Sequence, residues 1–206
     1  MNFLSLIFSF AISFGLLLIA MTVHEFAHGL TAYKLGDSTA RLSGRLTLNP
    51  LAHIDLFWTI ILPLVLFLST SGNFVFGAAK PVPIDYRALK NPKRDIIWIG
   101  LAGPLANLIL AFLIAQVLKF VSFGDTFAYL LLNLLTINVV LAVFNLIPIP
   151  PLDGSRVLMG LLPANLSRQY ALLERYGFII LFIFIWLGIF ERILWPVVDL
   201  VIRMMG

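Results

Sequence analysis

Two histidines and a glutamate stand together in the segment His24-Glu25-Phe26-Ala27-His28. Histidines four positions apart on a helix lie one turn apart on the same face, where both imidazoles can bind one Zn²⁺. The glutamate between them is placed to act as a general base that activates a zinc-bound water for hydrolysis. The alternative is a polar helix end that bonds to its neighbours. Two imidazoles and a carboxylate in an apolar helix cost free energy, however, which favours a functional role.

A catalytic zinc site needs a third protein ligand and one open position. The chain has three His and no Cys, so histidine and carboxylate side chains must supply the ligands. Among the other acids, Asp153 is the best placed because it follows Pro148, Pro150 and Pro151, which stop the preceding helix. Irregular backbone at membrane depth is tolerated only beside protein or a water-filled cavity. Asp153 could also cap a helix over residues 155–162, and the two roles are compatible.

The composition excludes a water-soluble globule. Of the 206 residues, 61% are hydrophobic and only 12% are charged, and the mean hydropathy is +1.02. This content also rules out disorder, and it leaves room for one membrane domain over residues 1–206. The net charge of +4 comes from Lys and Arg in loops between apolar runs, which cytoplasmic bias explains, so we expect no nucleic-acid partner.

The apolar runs predict an all-α polytopic membrane protein with four full transmembrane helices, a re-entrant or short membrane segment and a small β-hairpin. The alternation of apolar and polar residues after Asp37 predicts the hairpin, and the run from Leu56 to Leu68 is too short for a full span and contains Pro63. The N-terminal run is long for a signal peptide, so we expect it to be retained. The expected elements are a first helix over 3–35, the hairpin and re-entrant region over 37–80, and spans over 96–121, 127–147 and 177–192.

The distribution of positive charge favours the re-entrant arrangement. If residues 56–68 dip into the membrane and return, the ends carrying His28 and Asp153 share one face with eleven of the 14 Lys and Arg residues. A complete crossing would separate the two ends and divide the charges eight to six. Positive residues concentrate on the cytoplasmic side, so we expect a multi-pass protein of the plasma membrane with its metal toward the cytoplasm.

Four segments resemble the site-2 protease family of intramembrane zinc metalloproteases: HEFAH, NPLAHID, AGPLAN and NLIPIPPLDG, within roughly Val23 to Met159. The HExxH element occurs in many metalloproteases, but its pairing with NxxPxPxLDG on a later span is specific to this family. No segment resembles the PDZ or CBS domain of some members, so we expect the short form. The resemblance implies that His24, His28 and Asp153 bind one Zn²⁺ per chain, that Glu25 is the general base, that Asn145 lies near the substrate backbone, and that Asn107 and His53 are accessory residues.

The predicted activity is hydrolysis of peptide bonds within or near transmembrane segments of membrane-protein substrates, in contact with the lipid bilayer. Asn107, Asn145 or His53 could donate a hydrogen bond to the developing oxyanion. A helical substrate must unwind before attack, and a strand over residues 40–48 could hold it extended or could simply cap the structure. A metal transporter and an inactive scaffold are the alternative functions, and a homo-oligomer is left open. We interpret Asn133, Thr136 and Asn138 as interhelical hydrogen-bonding residues.

Overall fold

The computed structural model describes residues 3–70 and 77–206, and within these ranges every regular element is helical. Four of the described helices are long and apolar enough to cross a membrane, with mean hydropathies between 1.3 and 2.2. They are Ile7–Lys34, Pro92–Phe120, Asp125–Asn145 and Ala164–Trp186. The prediction of a helical membrane protein with four candidate spans is therefore confirmed.

The helices are named here in chain order. They are α1 (Phe3–Lys34), α2 (Thr39–Leu42), α3 (Leu62–Ser69), α4 (Pro92–Phe120), α5 (Asp125–Asn145), α6 (Asp153–Leu161), α7 (Ala164–Ala171), α8 (Gly177–Trp186) and α9 (Ile189–Met205). Short 3-10 helices cover Pro50–His53 and Leu172–Tyr176, and a π-helical turn over Leu56–Ile61 leads into α3. The central helix is α4, which packs against α1, α5 and α6.

The predicted β-hairpin is wrong, because the described residues contain no strand and the alternating segment begins with the helical turn α2 (Thr39–Leu42), which has a defined end. Asp37 accepts a hydrogen bond from the Thr39 amide and starts the turn. Gly44 takes a left-handed φ of 69°. Its amide donates to the Arg41 carbonyl at 3.1 Å, and the Arg45 amide donates to the Ala40 carbonyl at 2.8 Å. This is the hydrogen-bond pattern of a glycine-terminated helix, so local capping overrides the alternating pattern.

The segment from Leu56 to Ser69 is a short apolar helix, below the length of the four candidate spans. At 1.5 Å per residue it extends about 21 Å, less than the hydrocarbon thickness of about 30 Å. Asp55 caps its start by accepting hydrogen bonds from the amides of Phe57 and Trp58. The Thr59 hydroxyl donates to the Ala78 carbonyl, and this hydrogen bond ties the helix to the non-helical segment that precedes α4.

The last span differs from the predicted 177–192 at both ends. Its helical run starts at Ala164 and ends at Trp186. Gly188 has a φ of 66°, a left-handed conformation that glycine adopts without steric cost, and it separates α8 from α9. The chain then continues in α9, which packs against α5 and α8. A shared apolar core of α4, α5 and α9 is formed by Ala111, Ile114, Ala115, Leu135, Val139 and Val198.

Candidate metal centre

The two histidines of α1 lie on the face that packs against α4. Their side chains are buried, and the Nε2 atoms are 3.0 Å apart. Gly103 of α4 allows this approach, since a Cβ atom there would lie 2.4 Å from His28 Nε2 and 2.6 Å from His24 Nε2. A glycine at this point of α4 therefore makes room for both imidazoles.

Asp153 is the first residue of α6, and its carboxylate approaches the Nε2 atoms of both histidines. Its Oδ2 atom lies 2.9 Å from His24 Nε2 and 3.1 Å from His28 Nε2. No side-chain hydrogen bond caps α6, whose N-cap position is Leu152, so the structure does not use Asp153 as the cap. In the part of the chain that the structure describes, these three residues form the one group of His, Cys, Asp and Glu able to share a metal ion.

The chain fold before α6 explains how Asp153 reaches α1. The prolines after Asn145 end α5, and the chain turns back on itself. A Cβ atom at Gly154 would lie 2.2 Å from the Leu146 carbonyl oxygen, so only glycine fits the return. On the other side, a Cβ atom at Gly100 would lie 3.0 Å from the Asp153 carbonyl oxygen, and α4 therefore also packs closely against this turn.

The outer ring nitrogens of both histidines face hydrogen-bond acceptors. His28 Nδ1 lies 2.7 Å from the Ile99 carbonyl oxygen, and His24 Nδ1 lies 2.6 Å from Asn107 Oδ1. Each Nδ1 therefore carries the proton and donates, which in the neutral imidazole leaves a lone pair on Nε2. Two such nitrogens and a carboxylate oxygen repel one another at about 3 Å, and a shared cation would relieve this repulsion. This donor set, two His nitrogens and one carboxylate oxygen, fits Zn²⁺.

The charge state of Asp153 suits cation binding. Burial alone would raise the pKa of this carboxyl. The two neighbouring imidazoles outweigh burial and hold the pKa of the Asp153 carboxyl well below its ordinary value. Asp153 is therefore ionised and supplies the negative charge of the group.

Glu25 lies beside the group without belonging to it. Its Oε2 atom accepts a hydrogen bond of 2.8 Å from the Val82 amide, which belongs to an extended segment passing α1. Val82 was not predicted from the sequence, although the pattern Pro81-Val82-Pro83 was a signal: of these three residues only Val82 has an amide hydrogen. The amide holds the Glu25 carboxylate next to the metal-binding group.

The three accessory residues lie in different surroundings. Asn107 is fully buried and contacts His24 directly. Asn145, like Glu25, lines both of the cavities described below, and its amide nitrogen donates to the Leu141 carbonyl of its own helix. His53 is also buried, but its Nε2 atom bonds to the Thr47 carbonyl at 2.9 Å, and it lines neither of the cavities described below. The structure therefore brings Asn107 and Asn145 to the site and leaves His53 at the end of the 3-10 helix Pro50–His53.

Two cavities meet at the metal-binding group. The first has a volume of about 310 Å³ and is lined by His24, Glu25, His28, Pro81, Val82, Ile84, Tyr86, Ile99, Asn145, Pro151, Asp153 and Arg156. The second has a volume of about 440 Å³ and adds apolar side chains, among them Met21, Leu141, Phe144 and Leu181. Trp58 and Phe178 line this second cavity and stack with ring centroids 5.8 Å apart. An apolar space therefore adjoins the polar one.

Arg156 and Tyr86 add a polar pair that the sequence analysis did not single out. The Arg156 guanidinium donates a hydrogen bond to the Tyr86 hydroxyl and lies 5.3 Å from the centre of the Tyr86 ring. Burial raises the pKa of Tyr86, so its hydroxyl stays protonated. The pair lines the first cavity and places a positive charge there.

Comparison with known proteins identifies the family. The model of Peptidase family M50 matches residues 10–130 and 123–187. The chain is 36% identical over 195 residues to "Putative zinc metalloprotease YwhC" of Bacillus subtilis. This alignment covers 89% of this chain and 84% of that protein. The chain is also 32% identical over 167 residues to "Putative zinc metalloprotease Rip2" of Mycolicibacterium smegmatis, covering 79% of this chain and 62% of that protein. No solved structure matches the chain. The chain therefore belongs to Peptidase family M50, the site-2 protease family, and is a metallopeptidase.

Proposed function

We propose that this metallopeptidase is an intramembrane zinc protease that cuts peptide bonds within or near transmembrane segments of other membrane proteins. The observation that carries the proposal is the convergence of His24 Nε2, His28 Nε2 and Asp153 Oδ2 beside Glu25. These residues lie at membrane depth. His24 is ten residues before Lys34, the basic end of the span, which corresponds to about 15 Å along the helix and about half of the hydrocarbon thickness.

In this proposal His24, His28 and Asp153 hold one Zn²⁺ per chain. The bound metal would supply Lewis-acid polarisation of the substrate carbonyl and a lowered pKa for a coordinated water. Glu25 takes the proton of the attacking water and later delivers it to the leaving amine. The Val82 amide fixes the Glu25 carboxylate for this transfer, since it already donates to Oε2. Asn145, which lines both cavities, lies where a side-chain amide can bond to the substrate backbone.

The second cavity supports an apolar substrate. It shares His24, Glu25 and Asn145 with the first cavity, and its further lining is mostly aliphatic and aromatic. A transmembrane segment presents side chains of this kind. Its helical peptide bonds are hydrogen-bonded internally, so the segment must open locally before Glu25 and water can reach a carbonyl. We therefore expect helix-destabilising residues near the cleavage position to favour turnover.

The location proposed is the plasma membrane, with the metal toward the cytoplasm. The support is the charge distribution, because the re-entrant arrangement of residues 56–68 gathers eleven of the 14 Lys and Arg residues on the face of the active site. The helix over Leu56–Ser69 is of a length that suits this arrangement.

A reconstituted cleavage assay tests the proposal. The purified protein is placed in lipid vesicles with one of two single-span reporters, which differ only in an Asn-Pro pair in the middle of a Leu/Ala-rich transmembrane segment. We expect cleavage inside the segment, faster for the reporter with the Asn-Pro pair, abolished by 1,10-phenanthroline and restored by Zn²⁺. Cleavage confined to the soluble flanks, or cleavage that survives the chelator, would contradict the proposal.

A further inference from the structure

Asn138 lies on α5 with no exposed surface, two helical turns before Asn145. The sequence marks Asn133, Thr136 and Asn138 alike as interhelical hydrogen-bonding residues. In the structure Asn133 and Thr136 instead bond to carbonyls four residues earlier on their own helix. Asn138 does bond to another helix, since its Oδ1 atom lies 2.7 Å from Asn107 Nδ2 of α4. It therefore touches the residue that contacts His24.

The orientation of the Asn138 amide is fixed by its own helix. Its Nδ2 atom donates to the Leu134 carbonyl at 2.8 Å. A carbonyl oxygen only accepts hydrogen bonds, so the nitrogen must face Leu134 and the oxygen must face Asn107. Asn138 thus presents an acceptor, and only an acceptor, to α4.

The orientation of Asn107 follows from this acceptor. Asn107 Nδ2 donates both of its hydrogens, one to Asn138 Oδ1 and one to the Ala20 carbonyl of α1 at 3.1 Å. Its Oδ1 atom is left for His24 Nδ1, at 2.6 Å. If the Asn107 amide turned over, its oxygen would face two acceptors at once. Asn107 therefore keeps its oxygen toward His24, and His24 keeps its proton on Nδ1.

We propose that Asn138 is a positioning residue of the metal centre, which acts through Asn107 to fix the tautomer and the ring orientation of His24. The inference rests on the proposed role of His24 as a metal ligand. Hydrogen bonds to the second nitrogen of a ligating histidine direct its lone pair at the metal, and loss of such partners lowers metal affinity by about 10- to 100-fold. Asn138 stands one step further out and supplies the contact that holds the partner in place.

A Co²⁺ titration of the metal-free full-length protein in detergent tests the proposal, with the visible absorption of bound Co²⁺ as the signal. Asn138→Leu removes the acceptor at similar volume, and we expect the Kd for Co²⁺ to rise about tenfold or more. Asn138→Asp keeps an oxygen acceptor toward Asn107, and because a carboxyl at this fully buried position stays neutral, its O–H replaces the donor toward the Leu134 carbonyl, so its Kd should stay within about threefold of wild type. Asn133→Leu is the matched control on the same helix and should bind Co²⁺ like wild type.

The double variant separates positioning from packing. With Asn107→Ala in place the link to His24 is already cut, so adding Asn138→Leu should cause no further loss of Co²⁺ affinity. The proposal is overturned if Asn138→Leu binds Co²⁺ as tightly as wild type, or if its effect is equally large without Asn107. The proposal is also overturned if no variant at position 138, including Asn138→Asp, shows a thermal unfolding transition. Asn138 would then be needed for folding alone. Failure of the wild type to bind Co²⁺ would instead contradict the proposed metal site, and this inference with it.

Discussion

Replacing Glu25 with glutamine is expected to lower kcat by about 10²- to 10⁴-fold while the protein keeps its zinc. Glutamine has the same length and retains an oxygen that can accept the hydrogen bond of the Val82 amide. It lacks the basic carboxylate needed to take a proton from water. The metal-binding atoms belong to other residues, so metal content should not change. Cleavage of the single-span reporter and zinc content of the purified variant are the two measurements.

Glu191→Gln is the matched control for this experiment, because Glu191 is exposed at the start of α9 and lines neither cavity. It should cleave at the rate of the wild type. The pair of measurements also separates the proposed protease from a metal transporter, which needs His24, His28 and Asp153 but has no use for a base. A Glu25→Gln variant that still cuts the reporter at the wild-type rate would show that another group activates water.

A methyl group at Gly103 is expected to disable the metal centre. In Gly103→Ala the new Cβ atom would lie 2.4 Å from His28 Nε2 and 2.6 Å from His24 Nε2, so the rings or α4 must move. Displacements of about 1 Å in a catalytic arrangement cost about 100-fold in rate, and we expect a loss of at least this size in cleavage together with weaker zinc binding. Alanine favours a helix over glycine by about 1 kcal/mol, which offsets part of the strain in the folded state.

Gly15→Ala serves as the control, because a Cβ atom at Gly15 of α1 meets nothing within 4 Å. Zinc content and cleavage of this variant should equal those of the wild type. The comparison is made by zinc analysis and by the reporter assay on both proteins, with thermal unfolding to confirm that each is folded. Unchanged zinc binding and unchanged cleavage in Gly103→Ala would mean that the imidazoles do not pack against α4 as described.

The residues of the candidate site could be predicted from the sequence more completely than the elements that surround them. His24 and His28 are recognisable because helical spacing alone places them together. Asp153 stands out because the prolines just before it end the preceding helix. The predicted strand over residues 40–48 was wrong for a local reason. Asp37 starts a helical turn and Gly44 ends it, and these two residues outweigh the alternation between them.

Other parts of the site depend on contacts between distant residues. The Val82 amide meets Glu25 across 57 positions of the chain, and Asn107 meets Asn138 across 31. Periodicity describes one element at a time and therefore carries no information on such pairs. His53 illustrates the converse, because the motif that contains it resembles a family segment, yet its side chain bonds to the loop at Thr47. Motifs marked the residues to which we assign chemical roles, and packing between distant segments determines which partners orient them.

Zinc-edge X-ray absorption of the purified wild-type protein can show whether His24, His28 and Asp153 surround a single zinc ion. We predict one zinc per chain, with nitrogen and oxygen as its only ligand atoms and two imidazoles among the ligands. A spectrum with no imidazole or one imidazole would contradict this prediction.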